Sequence, residues 1–431
     1  MSAKTTMSQA ARYRLHLLQI YSAFLNAGLV YASSIASLIL TYEISHRAGP
    51  SALAAYLSSL IIGSFLIPLG NLGSDRLFAA QCRKLIGPSA RAAIHYSNFT
   101  RRILGAAIAV ILGCLYALYS SSSTDDAWAV CILGAWASLQ GLYPSAWYDV
   151  RKRVRLHNYI LLAERWFSVA AVVLILELSP APKSESLIWA TALLIVRCAS
   201  IFIQYILVYP RKGLSRGGAS PVEVQWGGSL ILVITSISNA GVAYGGMLVL
   251  KESASIYTFN AYAIVFQLLG IVNILQAQML RVMVPGIARS ASRSALSAGM
   301  LIDHSKRVLA SSLVLILVCL FITPYALDIL GSDRKHLPTV TYIVLYAWVL
   351  IYGVGLVVSQ YMATDDLVKR YAVVSLCGGG LTLALAVLAV PRSGPVASAT
   401  ILLAVHSGMI VIYLWLIFNQ SNPRSARVPR A

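Results

Sequence analysis

Acidic residues are scarce in this chain: 15 Asp and Glu among 431 residues, against 34 Lys and Arg. Charge of either sign is thin, at 11% of residues, where soluble domains carry about 25%. The seven histidines never fall in H-x-x-x-H or H-E-x-x-H spacing, which removes the usual zinc-hydrolase reading. Six cysteines (Cys82, Cys114, Cys131, Cys198, Cys319 and Cys377) form no C-x-x-C and none sits in a short outer connector. Neither a disulfide framework nor a metal centre is expected, and no cofactor is implied. The first apolar run lacks a small-x-small cleavage site, so it reads as a spanning helix and not as a cleaved leader.

What the chain has in abundance is apolar sequence. Hydrophobic residues make up 58% and the mean hydropathy is +0.73, the signature of a polytopic α-helical membrane protein. Twelve stretches are long enough to span a bilayer: 16–42, 52–72, 102–119, 127–147, 159–178, 187–208, 226–250, 256–282, 307–329, 338–362, 371–390 and 397–418. Of the 34 Lys and Arg, 26 fall in the tails and the longer, alternate connectors, and 6 in the short ones. That bias places both termini in the cytoplasm and explains the formal charge of +19 without any nucleic acid.

At an offset of 205 residues the sequence repeats itself. Arg76 matches Arg281, Arg101–Arg102 matches Lys306–Arg307, and Cys114 matches Cys319, with RRILGAAIAVILGC beside KRVLASSLVLILVC. The expected organisation is therefore two six-helix lobes in parallel repeat, 1–212 and 226–420, joined by a cytoplasmic linker, 213–225, and followed by a basic tail, 421–431. In transporters built this way the path lies between the halves.

Enzymatic signals are weak. Asp125–Asp126 and Asp365–Asp366 sit at span ends, as solvated carboxylates do, and the short outer connectors leave no room for a catalytic lobe. A membrane glycosyltransferase or polymerase, working through Asp365 or Asp366, is the minor alternative. The polar residues within or beside the spans carry more information. They include Arg47, Asp75–Arg76, Glu164–Arg165, Arg197 and Arg281, with the amides Asn26, Gln140, Gln204, Asn239, Gln267, Asn273, Gln276, Gln278 and Gln360. Arg47, Arg76, Arg165 and Arg281 have an ordinary reading as interface charges that snorkel to headgroups. Arg197 lies mid-span, which predicts a cavity-facing role or a structural pair with a carboxylate such as Glu164. No lone carboxylate falls mid-span. A guanidinium keeps its proton and forks onto phosphate oxygens, so a basic cavity with anionic, diphosphate-bearing cargo is expected. Pro68, Gly70 and Gly73 interrupt the second span and are expected to let it bend.

Three stretches carry a family likeness. SHRAGPSALAAY resembles the "aR-x-x-Gp-x-x-x-G-x-Y" approach to the second helix of bacterial polysaccharide exporters, with Ala54 where that family has glycine. FLIPLGNLGSDRLFAA is similar to the family's "p-L-x-x-L-G-l" followed by an arginine, and LQGLYPSAWYDVRKR to its "P-x-W-(F/Y)" exit from the fourth helix. These exporters are the lipid-linked oligosaccharide flippases of the multidrug/oligosaccharidyl-lipid/polysaccharide superfamily. The resemblance implies two lobes, and Arg47 and Arg76 in a basic central lining that Arg281 joins through the repeat. It also implies a polyprenyl-diphosphate oligosaccharide as cargo, a bacterial inner membrane as location, and a polymerase or chain-length regulator as partner. A drug or metabolite exporter of the same fold is the main alternative.

Overall fold

The structure, a computed structural model, describes residues 9–71, 88–120, 124–150, 153–178, 186–208, 226–291, 298–330, 334–362 and 367–420. Among them every regular element is helical. The first half contains α1 (Gln9–Glu43), a π-helical turn (Ile44–Ala48), α2 (Pro50–Asn71), α3 (Pro88–Ser120) and α4 (Thr124–Ser138). A 3-10 turn (Leu139–Leu142), the short α5 (Ser145–Val150), α6 (Val154–Leu178) and α7 (Ser186–Val208) complete it. The second half contains α8 (Trp226–Ser253), α9 (Ile256–Ala291), α10 (Ala298–Ile329), a 3-10 turn (Arg334–His336), α11 (Thr339–Met362) and α12 (Val368–Gln420).

Ten of the described helices are long and apolar enough to cross a membrane. The last of them, Val368–Asn419, has 52 residues, and at about 1.5 Å per residue it is long enough to cross twice. It does fold back. Ser375 and Tyr413 share a hydrogen bond of 2.9 Å although 38 residues separate them, and the rings of Tyr371 and Tyr413 lie 5.2 Å apart. Both contacts pair residues nearly equidistant from Gly394, whose backbone (φ 61°, ψ −142°) belongs to a region open mainly to glycine. Pro391 and Pro395 flank that turn. With the shorter apolar helix Ala127–Leu142, the count of crossings reaches the expected twelve.

The fourth span differs from expectation. It is not one helix over 127–147. α4 ends at Ser138, tightens into the 3-10 turn, and restarts after Pro144 as α5. Gly141 sets that geometry: a Cβ there would come within 2.8 Å of the Ile67 carbonyl oxygen and 2.9 Å of the Gly70 Cα. Backbones this close are how membrane helices gain packing without a hydrophobic driving force. Pro68 lies inside α2, whose helix runs through to Asn71. Gly70 packs on Gly141, and Gly73 falls outside the described residues.

The helices of each half pack mainly with one another, and the halves meet where α1 and α2 lie against α8 and α9. Large apolar side chains cover the outside: Phe321 is 74% exposed and Phe202 66%, a surface that suits hydrocarbon and not water. The 213–225 linker lies outside the described residues.

Candidate functional site: a pocket between the halves

Between α2 and the second half lies a cavity of about 460 Å³. Ser64, Ile67 and Pro68 of α2 form one wall. The opposite walls come from α8 (Asn239 and Tyr244), α9 (Phe266 and Asn273), α11 (Trp348, Tyr352 and Ser359) and α12 (Tyr371, His406 and Tyr413). The rings touch in sequence. Tyr244 lies 5.2 Å from Phe266, Phe266 stacks 5.3 Å from Trp348, and Trp348 is 5.3 Å from Tyr352. Among the described lining residues there is no Asp, Glu, Lys or Arg.

The positions of the lining residues along their helices show where the pocket lies. Pro68 and Ser359 stand near the C-terminal ends of α2 and α11 and Tyr371 near the N-terminal end of α12, so the pocket lies toward one end of the bundle, the end that the Lys and Arg bias assigns to the cytoplasm. On the outer side three hydrogen bonds join the halves. Thr41 Oγ1 donates to Gln267 Oε1 at 3.1 Å, and Asn260 Nδ2 donates to the Pro50 carbonyl at 3.0 Å. Lys251 Nζ reaches Tyr116 OH at 3.5 Å and stands 5.2 Å from its ring centroid. The halves are thus pinned together toward the opposite end of the bundle from the cavity.

The arginines expected to line this cavity are placed elsewhere, or their side chains lie outside the description. Arg197 does not face the pocket. It is 1% exposed inside the first half, where its Nε donates to Glu164 Oε1 at 2.8 Å and its Nη1 to the Trp136 carbonyl at 2.8 Å. Its guanidinium carbon stands 4.4 Å from the Trp136 ring centroid, and the hydroxyl of Tyr143 donates to the other oxygen of Glu164. Of its two readings, the structural pair is the one realised. A buried arginine without a carboxylate would be prohibitively desolvated, and the α6–α7 hairpin supplies Glu164 at the same depth. Arg165 flanks the same ring at 5.8 Å. Gln204, fully buried, accepts a hydrogen bond at its Oε1 from His157 Nδ1 at 3.0 Å in the same half and is likewise absent from the pocket lining.

Arg47 is also committed locally. The π-helical turn at the end of α1 brings it within 2.7 Å of Glu43 and 3.2 Å of Glu177, which ties α1 to α6 at the outer surface. It is absent from the pocket lining, and two carboxylates take up its charge. Asn26 lies in α1 with its carbonyl oxygen buried and unpartnered, away from the pocket lining. Asn239 is the candidate that does line the pocket, donating to Tyr371 OH at 3.1 Å. Arg76 lies outside the described residues, as do Asp365 and Asp366, and the side chain of Arg281 in α9 is likewise outside the description. The reasoning from sequence missed Tyr244, Tyr352 and His406. They read as ordinary members of apolar runs, and aromatic residues are common in membrane helices wherever they face.

Neither protein-family models nor curated proteins match this sequence. Solved structures do. An inward-facing multidrug resistance MATE family transporter of the MOP superfamily aligns with a TM-score of 0.65 at 11% identity over 92% of this chain and 96% of its own. The MATE multidrug transporter DinF-BH, solved as a complex, gives 0.65 at 11% identity, covering 98% and 99%. The lipid II flippase MurJ in an inward closed conformation gives 0.57 at 12% identity, covering 91% and 87%. At such low identity the likeness concerns architecture. This chain is an all-α, multi-pass membrane protein with the two-lobe fold of the MATE transporters.

Proposed function

We propose that this protein is a flippase that moves a polyprenyl-diphosphate-linked oligosaccharide from the cytoplasmic to the outer leaflet of a bacterial inner membrane, for assembly of a surface polysaccharide. The observation that carries this reading is the lining of the central pocket: aromatic rings, amides and hydroxyls, with no carboxylate among the described residues. A cation exporter coupled to protons needs a buried acid to hold its cargo and to titrate. Here the buried carboxylate Glu164 is already neutralised by Arg197. The solved neighbours include both multidrug transporters and a lipid II flippase, so the fold serves either cargo and the lining favours the flippase.

In this mechanism the glycan enters the pocket from the cytoplasm and the polyprenyl tail remains in lipid. Arg76 and Arg281, related by the internal repeat and near the cytoplasmic ends of their spans, grip the diphosphate. The halves then part on the outer side and close on the inner. Moving negative charge outward under an inside-negative potential releases about 2.3 kcal/mol per charge per 100 mV, so the cargo's own charge favours export. A polymerase or chain-length regulator would receive the delivered unit.

Ligand-dependent unfolding of the protein in nanodiscs tests the cargo. At a hundredfold excess over its dissociation constant, a prenyl-diphosphate oligosaccharide should stabilise the fold by about 2.7 kcal/mol. The corresponding prenyl alcohol should not. Stabilisation by an organic-cation dye instead would assign the chain to multidrug export.

A further inference from the structure

One part of the pocket has hydrogen-bonding groups with nothing to bond. His406 and Tyr352 line it, and neither the imidazole nor the phenol hydroxyl has a hydrogen-bond partner within the described structure. Asn273, on the facing helix, buries its carbonyl oxygen without a donor. A buried polar group left unpaired costs about 1–3 kcal/mol, so the Asn273 oxygen, beside an imidazole and a phenol that reach the cavity with free valences, marks a place where a ligand completes the bonding.

The surroundings limit what that ligand is. The rings of Tyr352 and His406 are 5.6 Å apart at 47°, the Trp348 ring stands perpendicular to the imidazole at 6.3 Å, and Tyr244 also lines the cavity. Gly355 makes room for the imidazole, since a Cβ there would come within 2.8 Å of His406 Nε2. A purely apolar guest would leave the three polar groups unpaired, and a cationic guest would find no carboxylate. A guest with apolar C–H faces and hydroxyls around its edge meets both demands.

We propose that His406, Tyr352, Asn273 and Tyr244 form a pyranose subsite, in which a sugar ring lies against the tyrosine faces and its hydroxyls bond to the imidazole, the phenol and the amide oxygen. This rests on the flippase reading and specifies where the glycan is read. His406 is the specificity-determining residue, because its two ring nitrogens supply one donor and one acceptor. The subsite belongs to the second half, whereas the sequence had directed attention to arginines.

The test uses the full chain in nanodiscs and a pair of probes: a short-chain alkyl pyranoside and its cyclohexyl analogue, which keeps the shape and lacks the hydroxyls. Saturation-transfer NMR reports ring contact, and tryptophan fluorescence titration gives affinity. The pyranoside should bind at least about tenfold more tightly than the analogue, as expected for one or more net hydrogen bonds. His406→Leu should abolish that preference while still admitting the analogue, and His406→Gln, which keeps a donor and an acceptor, should restore part of it. Gly355→Ala should weaken pyranoside binding by displacing the imidazole. Equal binding of the two probes to wild type, or an unchanged preference in His406→Leu, would overturn the subsite. Leaflet transfer of a lipid-linked oligosaccharide with no effect from His406→Leu would refute the subsite alone. A His406-dependent pyranoside preference without any such transfer would refute the flippase reading and leave the subsite standing.

Discussion

Arg197→Gln is expected to cost about 3–5 kcal/mol of stability, because it strands a carboxylate inside the first half. Both side chains of the Glu164–Arg197 pair are 1% exposed, and the guanidinium also binds the Trp136 carbonyl and covers its ring. Removing the cation leaves Glu164 with the Tyr143 and Ser200 hydroxyls as donors and with Arg165 as the nearby charge. Ionised, it loses the one guanidinium that pairs with it directly; protonated, it gives up its ionic partner altogether. Glu164→Gln should be damaging for the mirror reason. The double variant, Glu164→Gln with Arg197→Gln, removes both charges and keeps neutral groups of similar size, so it should recover most of the loss. Chemical unfolding of the four proteins in one detergent measures this cycle. The outcome that would return Arg197 to the transport path is a single variant as stable as wild type that no longer binds cargo.

Tethering the outer side is expected to reduce transport to below about a tenth of the untreated rate, since a lobe-rocking transporter must part these surfaces once per cycle. The pins are individually modest. Each hydrogen bond contributes about 0.5–1.5 kcal/mol net, so the set favours this contact between the halves while leaving it reversible. Thr41 on α1 and Gln267 on α9 are the best-placed pair, 3.1 Å apart across the two halves. With both changed to Cys in a cysteine-free background, oxidation to a disulfide should block transport, and reductive cleavage should restore it. Thr323 and Tyr346, joined at 2.6 Å within the second half, provide the control: the same treatment there should leave transport intact. Equal inhibition at both pairs would mean that the halves do not separate at Thr41 and Gln267.

The architecture was legible in the sequence because charges are so few that apolar runs stand out, and because Lys and Arg cluster in alternate connectors. The last hairpin was visible in PRSGP, where Gly394 makes the turn. The fourth span was misjudged as one helix because hydropathy is blind to backbone geometry. Gly141 and Pro144 were the available signs of a break. Arg197 shows the limit more sharply. Mid-span charge demands a partner or a cavity, and sequence alone cannot choose between them without the register of neighbouring helices. A clue was present, since Glu164 and Arg197 lie almost equally far from the short connector between α6 and α7, the spacing that an antiparallel hairpin brings level. The pocket was hidden for another reason. Tyrosine, tryptophan and histidine within apolar runs look alike whether they face lipid, core or cavity. Asn239 and Asn273 stood out among the pocket residues because an amide in a span is unusual, whereas Tyr352 and His406 carried no such mark.

The most direct test of the account is leaflet transfer of a polyprenyl-diphosphate oligosaccharide in proteoliposomes carrying an inside-negative potential. The account predicts transfer that needs the protein, quickens with the potential, fails with the Thr41–Gln267 tether in place and returns when the tether is cleaved. Transfer of a small organic cation under the same conditions, with the lipid-linked oligosaccharide left in its original leaflet, would contradict it.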